Sequence, residues 1–308
     1  MSYYLQVLSF IAIGGLSGLS VYLVLSAGQL TLGNAGFMLL GAYTSALLAT
    51  RAGWPLWLTL PAGALLAALV AVPLGYACLR LRGVYLAIAT LGFSQSLVVV
   101  ANNLTFTGGA LGLKDIPNMG TLTQQGLREW LAEPPLGLTW SQTGNLAVTL
   151  ATLLLLGLAV WAVARQGDSR TGRAFAAIRT DEVAAGAMGI NTTYLKVLAF
   201  SQGAFLAGLA GGLVAHTTYY IGPADFGFSR AVEMLVFVVV GGTGVPLGPV
   251  LGAALLTGLS EWLREFRDFR LIAYGVLMMS MVLLRPQGLL LPLRRPTANR
   301  GAKKGVAA

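Results

Sequence analysis

Few residues in this sequence could do covalent chemistry. His216 is the one histidine, and no H-E-x-x-H spacing, acid cluster or cysteine partner accompanies it, so a metal site is not expected. At the end of an apolar run, it reads as an interfacial residue. Asp115, Glu129, Glu133, Asp225 and the acids of 261–268 are scattered, and no pair is placed for acid–base work. A phosphate-binding loop ends in Gly-Lys-Ser/Thr. Here Lys114, Lys196, Lys303 and Lys304 all follow residues other than glycine. The GGTGVPLG stretch at 241–248 is therefore a helix break and not a nucleotide site. Catalysis and ATP binding by this chain alone are not expected, nor is a proton relay, since Glu233 is the only acid placed at the edge of an apolar run.

What remains is neutral polar chemistry and one charged loop. Gln29, Thr31, Asn34, Tyr43, Thr90, Gln95, Asn102 and Asn103 punctuate apolar runs; such groups line a solute path or bond across helices. Two glycine-interrupted segments, 28–36 and 241–249, fall in the two halves of the chain, which is the pattern of a transport pathway. The charged loop runs from Arg165 to Lys196, with five basic and three acidic residues. Thr180-Asp181-Glu182 reads as a helix start, Thr180 capping and the acids facing the positive end of the dipole. Gly189 reads as the stop. The expected helix, Asp181 to Met188, carries small side chains including Ala184 and Ala185, suited to close approach by another protein.

The elements that hold these residues follow from composition. The 308 residues are 56% hydrophobic and 10% charged, against about 25% charged in soluble domains. This is an integral membrane protein. Apolar runs of about 20 residues make it all-α, a polytopic bundle of about 8–10 transmembrane helices with a discontinuous or re-entrant glycine-rich segment. The spans expected are 5–25, 30–49, 55–79, 83–101, 146–164, 197–215, 232–240, 246–259 and 271–284. No cleavable signal is expected, because the first basic residue is Arg51. The net charge of +9 fits positive loops facing the cytoplasm better than nucleic acid. Arg80 with Arg82, the 165–196 loop and the six basic residues of 285–304 hold 13 of the 20, so the N-terminus is expected outside and the C-terminus in the cytoplasm. The long connection 102–145 then lies outside, with an amphipathic piece at Leu127–Leu131 resting on the membrane. Residues 1–290 form one domain and 291–308 a basic, flexible tail. Small-residue stripes at Gly14/Gly18, Ala204/Gly208/Gly212 and Gly244/Gly248/Gly252 bring helix backbones together, either within the chain or against a second subunit. Lone Cys78 excludes an internal disulfide and reads as packing.

Several stretches together resemble one family, the M-type permease subunits of ABC importers for branched-chain amino acids. They are 27–37 (AGQLTLGNAGF) with 41–43 (GAY); 80–93 (RLRGVYLAIATLGF) with Asn102-Asn103 and 107–109 (TGG); 172–174 (GRA), 177–185 (AIRTDEVAA) and 187–191 (AMGIN); 241–244 (GGTG), 248–249 (GP) and 285–289 (RPQGL). The resemblance implies a permease of the bacterial inner membrane that binds no cofactor, with ATP and Mg on two cytoplasmic ATPases, a second permease making a heterodimer, membrane lipid around it, and a solute-binding protein outside. It implies a coupling helix contacting the ATPases through Arg179, Asp181, Glu182, Ala184, Ala185, Met188 and Gly189. It is similar to the EAA loop of importer permeases, with Val183 where that pattern has glutamate and Glu182 one place earlier. For the pathway it implies Gln29, Asn34, Phe37, Tyr43, Thr90, Gln95, Asn103, Gly108, Gly109, Gly242 and Gly244. Related permeases carry urea, amides or aromatic acids. An autonomous channel or gradient-driven carrier is the rival from another class.

Overall fold

Inside a bilayer the backbone has no water to bond, so long apolar runs satisfy it internally as helices. A computed structural model describes residues 2–78, 81, 83–130, 139–262 and 279. They form α1 (Ser2–Ser26), α2 (Asn34–Arg51), α3 (Leu56–Cys78), α4 (Val84–Asn103), α5 (Met119–Trp130), α6 (Trp140–Gly167), α7 (Arg170–Thr180), α8 (Glu182–Ala187), α9 (Thr192–Thr218), α10 (Phe228–Gly241) and α11 (Gly248–Trp262). No strand occurs among the described residues; Leu113 and Ile221 form an isolated antiparallel bridge. Helices α1, α3, α4, α6 and α9 are each long and apolar enough to cross a membrane. With α2, α10 and α11 they occupy the first eight expected spans. The ninth, 271–284, the arginines Arg80 and Arg82, and the 291–308 tail lie outside the described residues.

Helix α9 is the axle of the bundle, in contact with α1, α2 and α3. Lipid tails are as apolar as leucine, so helices associate in a membrane through packing and not through water exclusion. Glycines permit it here. A Cβ on Gly41 of α2 would collide with the Gly208 carbonyl of α9, and one on Gly211 with the Met38 carbonyl. Gly63 of α3 abuts Gly41, and Gly203 abuts the Ser20 carbonyl of α1. The small-residue stripes therefore close contacts inside the chain: Gly14 and Gly18 face Phe237, Ala253 and Pro249, while Gly208 and Gly212 face α3 and Ser45. Leu16, Leu19, Phe37, Met38, Phe200, Leu213 and Met234 fill the fully buried centre.

Both expected breaks are real. After α1, Gly28 takes a left-handed φ of +77°, and α2 starts at Asn34 instead of Leu30. The reason is local. The Leu32 N–H donates to Thr90 Oγ1 of α4 (3.1 Å), and the Gly33 N–H donates to Thr31 Oγ1 (3.1 Å), so hydroxyls take the place of helix partners. The second break is the turn of an antiparallel hairpin. Helices α10 and α11, with 14 and 15 residues, are about 21 and 22 Å long, and Gly248 and Gly252 lie against the α10 backbone at Gly241 and Phe237. The helix that contains most of the expected amphipathic piece begins earlier, at Met119, and its first turns pack on α6, where Gly144 meets the Gly120 carbonyl; Leu131 lies outside the described residues.

These contacts give a stability test. Gly41→Val places atoms where the α9 backbone stands, and overpacking costs about 1–3 kcal/mol. Gly157 of α6 has open space around its Cα, so Gly157→Ala should gain about 1 kcal/mol from helix propensity. Thermal unfolding in detergent, followed by tryptophan fluorescence, should fall for the first variant and hold or rise for the second.

Candidate functional site

The charged loop is built from three corners, each made by an N-cap. Ser169 accepts from the Gly172 N–H and starts α7. Asp181 Oδ1 accepts from the Val183 and Ala184 N–H groups (2.8 and 3.0 Å) and starts α8. Asn191 Oδ1 accepts from the Tyr194 N–H (3.0 Å) and starts α9. Such caps contribute about 1 kcal/mol each. Two expectations are corrected. The cap of the short helix is Asp181, because Thr180 ends α7 and its hydroxyl donates to the Ala176 carbonyl. The short helix spans Glu182–Ala187, and Met188 is its C-cap. Gly189, with φ +83°, stops it as expected.

Helix α8 has an inner and an outer face. Ala185 is buried, 5% exposed, so it supports the helix from beneath and does not lie on an outward surface. Val183 and Met188 are 70% and 83% exposed, and Ala184, Gly186 and Ala187 lie beside them in solvent. Glu182 does not join that apolar face. It pairs with the buried Lys196 near the start of α9, so a charge contact ties α8 to the central helix.

Both helix breaks come to the end of α7. A Cβ on Gly28 would sit 3.0 Å from the Arg179 Cα. Arg179 and Gly244 line one cavity of about 820 Å³ together with Tyr22, Ser26, Gln166 and Phe175. The coupling candidate Arg179 thus adjoins the two interruptions named as pathway elements.

The remaining pathway candidates divide into groups. Around the first break, Gln29 is buried with neither amide atom bonded. Asn34 Nδ2 donates to Ser20 Oγ (2.8 Å), and Thr90 holds Leu32 as described. Phe37 packs on Phe93 and Phe200, with ring centroids 5.6 and 5.3 Å away. Gln95 is half-buried on α4, one residue past Ser94, whose hydroxyl is buried and unbonded. At the opposite end, the Tyr43 hydroxyl donates to the Ile221 carbonyl (3.4 Å). Asn103 is exposed and donates to the Val99 carbonyl of its own helix (2.8 Å). Gly108 and Gly109 take positive φ in the 3-10 turns that follow α4. Gly242, with φ +106°, ends α10. The structure therefore brings Gln29, Asn34, Phe37 and Thr90 together, and places Tyr43, Asn103, Gly108 and Gly109 apart from them.

His216 corrects the interfacial reading: it is fully buried. Its Nδ1 faces the Pro117 carbonyl (2.9 Å), which only accepts, so Nδ1 carries the proton and Nε2 accepts from Ser45 Oγ (2.9 Å). This pins the 104–118 segment onto α2 and α9. The Leu113–Ile221 bridge and the Ile116 N–H bonded to the Tyr219 carbonyl (3.4 Å) reinforce it, and the Arg51 guanidinium lies 4.4 Å from the centre of the Phe106 ring. No group of three or more metal-ligating side chains occurs among the described residues.

Comparison with known proteins places this arrangement. The family described as "Branched-chain amino acid transport system / permease component" matches residues 3–284. The high-affinity branched-chain amino acid transport system permease protein LivM of Escherichia coli is 38% identical over 94% of this chain and 70% of its own. The permease protein BraD of Pseudomonas aeruginosa is 30% identical over 50% of this chain and 49% of its own. LivH of Escherichia coli is 32% identical over 40% of each. No solved structure matches. A match along nearly the whole length, on a helical bundle with the expected loop and breaks, is decisive: the chain belongs to the family of branched-chain amino acid transport system permease components.

Proposed function

We propose that this chain is the membrane permease of an ATP-driven importer that moves branched-chain amino acids into the cytoplasm across a bacterial inner membrane. Energy enters from two ATPase subunits that carry ATP and Mg, and a soluble binding protein delivers the solute from outside. A second permease completes the membrane part as a heterodimer. The basic loop and the C-terminus face the cytoplasm. The observation that carries this reading is the architecture of α8. It offers a small, solvent-facing apolar surface at Val183, Ala184, Gly186, Ala187 and Met188, while Glu182 anchors it to α9 through Lys196. A partner that binds this surface can shift the bundle only through a rigid contact that differs between its states. The α8–α9 connection supplies one, and Arg179 extends it to both helix breaks. The likeness to LivM and BraD supports branched-chain amino acids over urea, amides or aromatic acids, and the scarcity of acids in the spans, where Glu233 is already paired with Arg230, argues against a gradient-driven carrier.

Two substitutions at the loop test the coupling. Ala184→Trp sits on the exposed face, so it should leave folding intact and reduce substrate-stimulated ATP hydrolysis and uptake at least tenfold in the assembled transporter. Unchanged coupling would sink the docking assignment. Ala185→Trp serves as its contrast, since a bulky side chain beneath α8 should loosen the loop itself and lower thermal stability.

The ion pair is tested by exchange. Glu182→Lys alone sets two ammonium groups side by side, and Lys196→Glu alone sets two carboxylates. Each should lose uptake while the ATPases still bind. The double exchange restores opposite charges and should recover a substantial part of transport. A double variant no better than either single one refutes the strut.

A further inference from the structure

The function proposed above leaves one charged pair unused. Arg230 Nη1 and Glu233 Oε2 are 2.9 Å apart in the first two turns of α10, at the end of the bundle away from the basic loop. Ionisable groups within a span are costly to place there and mark solute or ion paths. This pair lines a half-open cavity of about 190 Å³ between α1, α2, α9, α10 and α11. At about 30 Å³ per water, the space holds roughly six waters or one small solute.

The lining has two chemistries. Phe10, Ile13, Met38 and Phe237 are apolar, while Ser17, Thr218 and Thr257 add hydroxyls to the charged pair. Arg230 spends its Nε–H on the Asp225 carbonyl (3.4 Å) and an Nη1–H on Glu233, so Nη2 keeps both donors for an anion. Glu233 keeps Oε1 for a cation. The Ser17 hydroxyl proton goes to the Gly14 carbonyl, and that of Thr218 to the carbonyl of Val214 or Tyr220. With their protons spent, both oxygens are left as acceptors, which suits an ammonium group and not a second anion.

We propose that this cavity is a binding site for one zwitterionic amino acid with an apolar side chain. The carboxylate accepts from Arg230 Nη2, the ammonium donates to Glu233 Oε1 and the hydroxyl oxygens, and the side chain lies among Phe10, Ile13, Met38 and Phe237. The pair already sits at the spacing a zwitterion needs, because the adjacent guanidinium and carboxylate match adjacent carboxylate and ammonium. Bound there, the solute is held within this subunit at the side from which it arrives. The proposal rests on reading the chain as an amino-acid permease and adds the place where the permease itself recognises its cargo.

The test is equilibrium binding of radiolabelled L-leucine to the full chain in phosphatidylcholine nanodiscs. Saturable binding is expected. 4-Methylpentanoate, which lacks the ammonium, and isopentylamine, which lacks the carboxylate, should not compete. Glu233→Gln and Arg230→Gln should each weaken binding at least tenfold. Thr257→Leu narrows the cavity without touching the pair and should abolish binding with thermal stability retained, which keeps the test sound if a charge variant fails to fold. Competition by phosphatidylethanolamine would assign the pair to a lipid headgroup and overturn the proposal, as would wild-type affinity in Glu233→Gln. Uptake by the assembled transporter is read in parallel. Import without binding by this chain overturns the site alone, and binding without import overturns the function reading alone.

Discussion

The structure depends on backbone-to-backbone contact at the glycines of α2, α3 and α9. In lipid, bringing two helices together gains little from excluding solvent, so close van der Waals contact must supply the attraction. Gly41, Gly63, Gly208 and Gly211 remove the side chains that would hold three helices apart. That contact fixes the rotation of α9 about its axis. The rotation in turn decides that Lys196 points toward α8, that His216 reaches Ser45 and Pro117, and that Phe200 meets Phe37. Polar pairs specify positions in this fold, but the glycines create the positions.

The same principle explains the two breaks. A chain that leaves a helix inside a membrane must find other partners for its N–H and C=O groups. Thr90 and Thr31 provide them at the first break, and the second folds back so tightly that Gly241 and Gly248 touch. Both breaks then have exposed ends available to α7. The convergence on Arg179 links segments that lie about 150 and 65 residues from it in the chain. It makes the basic loop part of the bundle's own architecture.

Much of this was legible in the sequence where one residue type has one physical use. Glycine at 28, 189 and 242 marked turns, and each takes a positive φ. Apolar length marked the spans, with α10 and α11 as the short ones. Legibility failed where the outcome depends on which face turns inward. Helix α7 was hidden because its apolar spacing is carried by Phe175 and Ile178 alone, three residues apart amid arginines. Thr180 and Asp181 are both good caps, and only the preceding helix decides between them. Ala185 and Ala184 are identical in type and opposite in burial. His216 looked interfacial because its partners, Ser45 and Pro117, lie 171 and 99 residues away. The Glu182–Lys196 pair was obscured by the register of the loop motif, which drew attention to what Glu182 fails to match and away from what it contacts.

Helix α9 joins two surfaces that never meet. Near its start Lys196 is locked to α8, and in its last turn His216 is locked to the 104–118 segment. With 27 residues it is about 40 Å long, and a helix resists stretching along its axis far more than bending. It therefore works as a pushrod. An axial load applied at one membrane face arrives at the other without any side chain in between needing to relay it. A change at either end of the helix can reach the other on the same rigid part, in either direction.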